Sequence, residues 1–398
     1  MATQDRARPA LTVTTASPPQ NDTPPWTPIG VVPSDWNLLS SSFTSRATAT
    51  STEDQLTHIR RQALFAVPAA PHGVCTLSST SLGAGAWASV VSGTLDNGAT
   101  KSLVAIKKPT TAASNEILLS EAKILSYITS LGAHDSLVSF HGYNPATSEV
   151  VMSLVPGLTL RDYSRQCKSD RRFPRTEPVM GLRPWLTIAE QLAGAFTYLK
   201  EIGVVHGDVT WNNVIMREDG NGDNRIDSEV NNDKSGPTLT PVIIDFSSAH
   251  LSVPGYRPPA ISATTTNFVA PEVLEAHLRG PITPPLSPAD ATTKHGQNHE
   301  AWPIPTFASD LYGLGMTLLS AAIGGEVYGN LGRYAAIYVR QGAPLDWVRN
   351  GDMAVVVGVR GTVTKTLRGC FGSKAEGRME VEGLKTLVGE MMEGFEKK

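Results

Sequence analysis

The chain has 398 residues, of which 40% are hydrophobic and 18% are charged, and its formal net charge is −3 at pH 7. This length and apolar content allow one large two-lobed domain or two small domains. The near-neutral charge gives no electrostatic reason to expect a nucleic acid or an anionic membrane as a partner. Three cysteines, far apart in sequence, predict free thiols in a reducing, intracellular compartment, either cytoplasmic or nuclear.

No apolar core follows the first residues of the chain, so we expect no secretory signal. The longest apolar run with helical character, residues 311–323, is too short to span a bilayer, so we expect no membrane segment. Residues 1–50 are rich in Thr, Ser, Pro and Ala and predict a disordered tail, because they offer too little apolar surface to offset the entropy of ordering. Thr52 and Gln55 are typical of a capping box, which predicts a short helical extension over residues 51–72.

From about residue 73 the pattern favours β-strands. Residues 81–93 predict a strand, a turn of small residues and a second strand, with Gly83 and Gly85 in the turn. Glycines there would let the backbone approach phosphate groups closely. A plain hairpin explains two glycines equally well, so the motif gains weight only from its position before the next strand.

A strand that ends in Lys107 leads into a predicted helix over residues 114–128. Glu121 lies among the apolar positions of that helix, whereas Glu116 lies near its start, where an acid would merely complement the helix dipole. Glu121 is therefore the predicted partner of Lys107.

Two more strands, at residues 137–140 and 149–155, complete a predicted five-stranded sheet. Two helices are predicted next, over residues 160–167 and 185–199, with a basic, proline-containing insert between them.

Residues 204–215 predict a strand, a polar loop and a strand, with Asp208 and Asn213 in the loop. A carboxylate can orient an attacking hydroxyl and accept its proton, and an amide oxygen can ligate a hard cation. This spacing alone is a weak signal. However, residues 241–244 predict another short strand that ends in a second carboxylate, Asp245. Two carboxylates and an amide at neighbouring strand ends can hold magnesium on the phosphates of a nucleotide.

In this order the motifs resemble those of the protein kinase family. His206-Gly207-Asp208 with Asn213 resembles the catalytic loop, and Asp245-Phe246-Ser247 resembles the magnesium-binding turn. The resemblance implies ATP and Mg²⁺ as cofactors. It also implies that Asp208 orients the hydroxyl and accepts its proton, that Lys107, held by Glu121, binds the phosphates, and that Asn213 and Asp245 hold magnesium.

The resemblance further implies that the nucleotide contacts the small lobe and the hinge at its end. The implied contacts are Leu82, Gly83, Ala84, Gly85, Val90, Ala105, Lys107, Met152, Ser153, Leu154 and Val155. Residues 247–272 resemble an activation segment that ends in the Ala-Pro-Glu motif, which implies a protein substrate. Three supporting contacts are implied as well: Glu272 with Arg378, Thr265 with Asp208, and Asp310 with the catalytic-loop backbone.

Four positions depart from the family pattern. Gly207 replaces the arginine that usually precedes the catalytic aspartate, so activation through a phosphorylated loop that pairs with this arginine is not expected. Thr210 stands where many Ser/Thr kinases have a lysine near the γ-phosphate. Ala88 and Ser247 replace glycines of the phosphate loop and of the magnesium-binding turn.

The fold implied is α+β and two-lobed, with a small five-stranded antiparallel β lobe carrying one main helix and a larger, mostly helical lobe. The expected division is a tail (1–50), a helical extension (51–72), a small lobe (73–155) and a large lobe (156–398) with inserts at about 168–181, 217–237 and 278–307.

Three functions are compatible with these residues. The first is an ATP- and Mg²⁺-dependent kinase that phosphorylates Ser and Thr hydroxyls of proteins. The second is a pseudokinase that serves as a binding or scaffold module, which the four departures motivate. The third is a phosphotransferase for small molecules of the aminoglycoside or choline type, against which the Ala-Pro-Glu motif argues. The sequence does not indicate an oligomeric state.

Overall fold

The computed structural model describes residues 52–170, 172–219, 238–254, 265–278 and 304–396. The predicted tail over residues 1–50, most of the insert at 217–237 and nearly all of the insert at 278–307 lie outside this part of the chain. The described residues form a five-stranded antiparallel sheet and a larger, mostly helical region, which is the expected two-lobed α+β fold.

The small lobe is built from five strands and one long helix. The strands have the order β1-β2-β3-β5-β4, and every neighbouring pair is antiparallel. Helix α2 buries its apolar positions, such as Leu118 and Leu125. The bounds of these elements, and of a helix that precedes them, are α1 (Thr52–Phe65), β1 (Val74–Ala84), β2 (Ala88–Asp96), β3 (Lys101–Pro109), α2 (Ser114–Leu131), β4 (Phe140–Asn144) and β5 (Glu149–Ser153).

The strand predicted at residues 137–140 is wrong, because β4 begins only at Phe140. Leu137 and Val138 are buried, and the backbone of this stretch pairs with the large lobe through a bridge between Leu137 and Ile243. The Val138 amide donates to the carbonyl of Ile243 in the large lobe, and the Ile243 amide donates to the carbonyl of Ser136. The apolar character of this stretch therefore reflects the contact between the lobes.

The large lobe combines two small sheets with helices. Strands β6, β8 and β9 form one antiparallel sheet, and β7 pairs with β10. The elements are β6 (Gly157–Thr159), α3 (Leu160–Ser169), α4 (Leu182–Glu201), β7 (Val204–Val205), β8 (Val214–Asp219), β9 (Thr238–Ile243), β10 (His250–Leu251), α5 (Pro271–Leu278), α6 (Phe307–Ile323), α7 (Ala335–Val339), α8 (Pro344–Arg349), α9 (Thr362–Leu367) and α10 (Val381–Glu396).

Helix α6 is the centre of the large lobe. Every residue from Ser309 to Ile323 is buried, as expected for a helix that is apolar on all sides. A capping box between Thr306 and Ser309 starts the helix, and Gly324, with a φ of 61°, ends it. In the described part of the chain, no helix combines the length and apolarity needed to cross a membrane.

Candidate functional site

Lys107 lies between two carboxylates at the contact of the two lobes. Its Nζ donates to Oε1 of Glu121 at 3.0 Å and to Oδ1 of Asp245 at 2.7 Å. Strand β3 places Lys107 opposite Val90 and Val150, and Glu121 is a buried residue of α2. Glu121 also accepts the backbone N–H of Phe246 at 3.1 Å, so one buried carboxylate binds both the strand and the turn after Asp245. The residues predicted as a pair thus meet, and Asp245 joins them.

Burial and charge act against each other in this cluster. Burial alone would lower the pKa of Lys107, whose side chain is 8% exposed, but the charges of Glu121 and Asp245 outweigh burial and raise it. Burial alone would raise the pKa of Asp245, but Lys107 outweighs it and lowers this pKa to about 2. All charges needed to attract phosphate and a cation are therefore present at neutral pH.

Asp245 adopts a backbone conformation that is rare for residues other than glycine. Its φ is 63°, in the left-handed region, and its Oδ1 accepts the backbone N–H of Ser247 at 3.2 Å. Asp tolerates this region better than most residues because its side chain can hydrogen-bond locally. The turn is therefore compatible with Ser247 in the place of glycine, since the unusual φ falls on Asp245 itself.

Asp208 and Asn213 are held together in the loop between β7 and β8. The Asn213 Nδ2 donates to the backbone carbonyl of Asp208 at 2.9 Å and to its Oδ2 at 3.2 Å. Oδ1 of Asp208 accepts the backbone N–H of Thr265 at 3.1 Å. Burial raises the pKa of Asp208 to about 6, with a further contribution from the nearby Asp245, whereas Thr265 and Asn213 oppose the shift. Asp208 is therefore mostly ionised at pH 7 but is a stronger base than an exposed aspartate.

The backbone of this loop rests on Asp310, at the start of α6. The carboxylate of Asp310 accepts the N–H of His206 at 2.6 Å and the N–H of Gly207 at 2.9 Å. Burial raises the pKa of Asp310 to about 7, although both N–H donors oppose the shift. The expected bracing contact from α6 is thus present.

Gly207 is required by the local geometry. Its φ is 80°, and a Cβ atom at this position would lie 2.5 Å from the carbonyl oxygen of Ser248. An arginine, the residue that the family usually has here, would therefore be strained and would collide with the backbone beyond Asp245. The glycine at residue 207 therefore fits the close approach of the Ser248 carbonyl in this chain.

His206 is a buried, neutral part of the same loop. Burial lowers its pKa to about 4. Its Nδ1 accepts the backbone N–H of Asp208 at 3.3 Å, which leaves Nε2 to donate to the carbonyl of Ile244 at 3.4 Å. The ring also packs on Phe246, with ring centroids 5.0 Å apart. His206 thus links the loop that carries Asp208 to the turn that carries Asp245.

The predicted nucleotide contacts lie on the small lobe and its hinge. Residues 82–84 form the exposed end of β1, and the N–H of Gly85 closes the turn by donating to the Ala88 carbonyl at 2.8 Å. Val90 and Ala105 lie on β2 and β3, where Ala105 is opposite Met152. Gly83 is opposite Val90 and Val90 is opposite Lys107, so part of this set forms one row across the sheet that leads to Lys107.

The hinge amides differ in their availability. The N–H of Ser153 donates to the Ser139 carbonyl at 2.9 Å, and the N–H of Leu154 donates to the Leu103 carbonyl at 3.2 Å. Among the described residues, the N–H of Val155 has no backbone acceptor. Of the three residues predicted to meet the adenine edge, Val155 is thus the one whose N–H the backbone leaves available.

Ile215 is a candidate contact that the sequence pattern did not single out. Its neighbours Val214 and Met216 are each 2% exposed and face the core of the large lobe. Because side chains alternate along a strand, Ile215, which is only partly buried, faces the side of β8 opposite to Val214 and Met216. The alternation of residues 214–216 was the available signal.

Magnesium fits the donors that this site offers. The amide nitrogen of Asn213 donates to Asp208, so the carbonyl oxygen of the Asn213 side chain is left for other partners. Asp245 is ionised, and its side chain is 38% exposed. In the described ranges, no group of three or more His, Cys, Asp or Glu side chains forms a metal cluster. Two oxygen donors from the protein suit Mg²⁺, which keeps water and phosphate oxygens among its ligands.

The expected pair between Glu272 and Arg378 is also present. Arg378 donates from Nη1 and Nη2 to the two carboxylate oxygens of Glu272 at 2.8 and 2.6 Å. It also donates to the carbonyls of Ala308 and Gly372. The Arg378 side chain is fully buried, so this bidentate pair ties α5 to the region before α10.

Two comparisons with known proteins bear on the family of this chain. The family model described as protein tyrosine and serine/threonine kinase matches residues 77–276, half of the chain. The chain is also similar to serine/threonine-protein kinase ISR1 of Saccharomyces cerevisiae, with 24% identity over 228 residues. That match covers 54% of this chain and 43% of the yeast protein, so the chain spans less than half the length of this relative.

Proposed function

Because this chain belongs to the protein tyrosine and serine/threonine kinase family, we propose that it transfers the γ-phosphate of ATP, with Mg²⁺, to Ser and Thr hydroxyls of protein substrates. The observation that supports the proposal is that the residues a phosphoryl-transfer site would use form two hydrogen-bonded groups. Lys107 binds Glu121 and Asp245 on one side, and Asp208 binds Asn213 and Thr265 on the other.

Each residue then has a distinct task. Lys107, held by Glu121, binds phosphate oxygens, and Asp245 and the Asn213 carbonyl oxygen hold Mg²⁺, which neutralises charge on the phosphates when bound. Asp208 accepts a hydrogen bond from the substrate hydroxyl and takes its proton as the oxygen bonds to the γ-phosphorus and the bond to the β-phosphate oxygen breaks. A pKa of about 6 suits this task, since Asp208 is mostly deprotonated at pH 7.

Two observations support a protein substrate with Ser or Thr acceptors. Glu272, which ends the Ala-Pro-Glu motif, is locked to Arg378 and fixes the segment that begins after Thr265. A peptide would dock on this segment. The Ser/Thr acceptor rests on the printed name of the yeast relative, which is a serine/threonine-protein kinase.

A nucleotide-binding pseudokinase is the second candidate. Thr210 is 2% exposed and carries no charge, and in the described part of the chain no lysine or arginine forms an ion pair with Asp208. The cation that would stabilise charge beside the acceptor hydroxyl is thus not supplied by the catalytic loop. This arrangement would bind nucleotide through Lys107 and Asp245 without turnover.

A γ-phosphate transfer assay tests the proposal. The purified chain, with ATP and Mg²⁺, is incubated with a protein mixture, with casein-type peptides, and with small alcohols and aminoglycosides, beside an Asp208→Asn variant. Transfer to protein Ser and Thr that falls by about 10²-fold or more in the variant supports the proposal. Transfer only to small molecules contradicts it. No transfer, with thermal stabilisation by ATP and Mg²⁺ retained, establishes the pseudokinase instead.

A further inference from the structure

Helix α1 contributes a buried cation to the end of α4. Arg60 is 6% exposed, and its Nε donates to the Ile202 carbonyl at 3.2 Å while its Nη2 donates to the Glu201 carbonyl at 3.3 Å. These carbonyls belong to the last turn of α4 and the residue after it, where the helix itself leaves acceptors unsatisfied. A guanidinium suits this position because it offers several N–H donors and its charge complements the helix dipole.

Gly203, which has no side chain, leaves the space that the Arg60 guanidinium occupies. Gly203 has a φ of 75°, and a Cβ atom there would overlap the guanidinium of Arg60. Ile202 and Gly203 lead directly into β7 and then into the loop that carries Asp208. Arg60 therefore binds the large lobe only a few residues before the catalytic loop.

Helix α2 of the small lobe contacts the same place. Tyr127, which is 2% exposed, donates its hydroxyl to the Ile202 carbonyl at 2.8 Å. Lys123 donates to the carbonyl of Leu64 in the last turn of α1 at 2.9 Å. One carbonyl, that of Ile202, is thus shared by a donor from α1 and a donor from α2, and α1 and α2 are also bound to each other.

Helix α2 is the element that carries Glu121. Lys123 and Tyr127 lie two and six residues after Glu121 on the same helix, so their contacts fix the position of that helix along its axis. Glu121 in turn holds Lys107 and the amide of Phe246. The contacts of α1 are therefore connected, through one rigid helix, to the residue that orients Lys107.

We propose that Arg60 is a positioning residue: together with Tyr127 it anchors α2 to the end of α4, and this anchor keeps Glu121 on Lys107. The consequence for phosphoryl transfer rests on the function proposed above, whereas the consequence for the position of α2 does not. Helix α1 then supports the site that contains Lys107 and Glu121, although α1 precedes the residues that the family model matches.

The test uses the full chain with Arg60→Met and, as a matched control, Arg61→Met on the same helix, since Arg61 is exposed. Tyr127→Phe provides a second route, because it removes only the hydroxyl that α2 places on the Ile202 carbonyl. Hydrogen–deuterium exchange over residues 114–131 is measured for each variant. We expect Arg60→Met to raise exchange in α2 by about fivefold or more, Tyr127→Phe to raise it less, and Arg61→Met to match the parent chain.

A double-mutant cycle with Glu121→Gln separates positioning from general stability. If Arg60 acts through Glu121, Arg60→Met lowers kcat by about tenfold in the parent chain and adds little to Glu121→Gln. Additive losses, or unchanged exchange in α2 for both Arg60→Met and Tyr127→Phe, would overturn the proposal. If the parent chain shows no transfer, the function proposed above fails, and the exchange measurement alone decides the role of Arg60.

Discussion

Asp208 and Asp245 are two aspartates of one cleft whose pKa values move in opposite directions. Asp245 touches Lys107, and this cation lowers its pKa to about 2 despite burial. Asp208 accepts hydrogen bonds from Thr265 and Asn213 instead, and burial raises its pKa to about 6. One carboxylate is thus made a permanent anion, which suits a cation ligand, and the other is made a moderate base, which suits proton transfer.

The two pKa shifts have opposite consequences for the stability of the folded protein. For Asp245 the folded-state pKa lies below that of the unfolded chain, so its contribution to stability is present above about pH 4 and is lost as pH falls toward 2. For Asp208 the folded-state pKa lies above the unfolded value, so the folded protein loses stability from this group as pH rises from about 4 to 6. The site holds Asp208 at a cost to folding, which is common where a residue serves chemistry.

Removal of the Lys107 charge should remove the cause that separates the pKa of Asp245 from that of Asp208. Lys107→Met leaves the buried Glu121 and Asp245 without their shared partner, so we expect a loss of about 3 kcal/mol in the free energy of unfolding and a loss of transfer of about 10²-fold or more. Denaturant unfolding and the transfer assay measure the two effects.

Lys108→Met is the matched control for that change, because Lys108 is the next residue of β3 and its pair with Glu149 is partly exposed, at 3.3 Å. We expect it to change stability by less than about 1 kcal/mol. Equal losses from the two variants would show that the position of Lys107 between two carboxylates has no special importance.

A side chain at residue 207 should disturb the contact between the Asp208 loop and the chain that follows Asp245. Gly207→Ala places a Cβ atom 2.5 Å from the Ser248 carbonyl at a positive φ, so we expect a loss of about 2 kcal/mol of stability and reduced transfer. Gly194→Ala is the control, since a Cβ atom there meets no other atom and Ala favours the helix by about 1 kcal/mol. A Gly207→Ala chain as stable as the parent would contradict the observed path of residues 247–248.

The acid limb of the pH–rate profile should report Asp208. Because its pKa is raised to about 6, transfer should fall by about tenfold between pH 7 and pH 5, whereas Asp245 stays ionised throughout that range. Steady-state rates across pH 5–8 measure this limb. A rate that is flat down to pH 5 would contradict the role of Asp208 as proton acceptor.

Substitution of Thr265 should shift the acid limb of the pH–rate profile by a smaller amount. Its hydroxyl, like its backbone N–H, favours the ionised form of Asp208. We therefore expect Thr265→Ala to move the limb to slightly higher pH and Thr265→Ser to restore it. A shift in the opposite direction would show that this hydroxyl does not stabilise the Asp208 carboxylate.

The order of elements could be predicted from sequence because each depends on local patterns. The strand that carries Lys107, the helix with Glu121 and the strand that precedes Asp245 are all indicated by spacing along the chain. The assignment of Glu272 to Arg378 needed the family resemblance, since 106 residues separate the two.

Other features depend on contacts that no local pattern encodes. Leu137 and Val138 resemble a strand of the small sheet because they are apolar, but the backbone of this stretch bonds to Ile243 of the other lobe. The position of Gly207 under the Ser248 carbonyl arises only after the chain has folded back. Arg60 resembles one charge of an exposed helix, yet it binds carbonyls 141 and 142 residues away. Burial of an arginine by distant backbone leaves no periodic signal in the sequence.

The ion pair between Glu272 and Arg378 sets an order of events during synthesis. Glu272 leaves the ribosome more than one hundred residues before its partner, and α10, whose preceding residue Glu380 binds Lys200 of α4, emerges later still. A nascent chain that ends at residue 276, the last residue matched by the family model, therefore exposes the face of α4 and a carboxylate without its arginine. We expect the large lobe to complete its fold only after Arg378 and α10 have emerged.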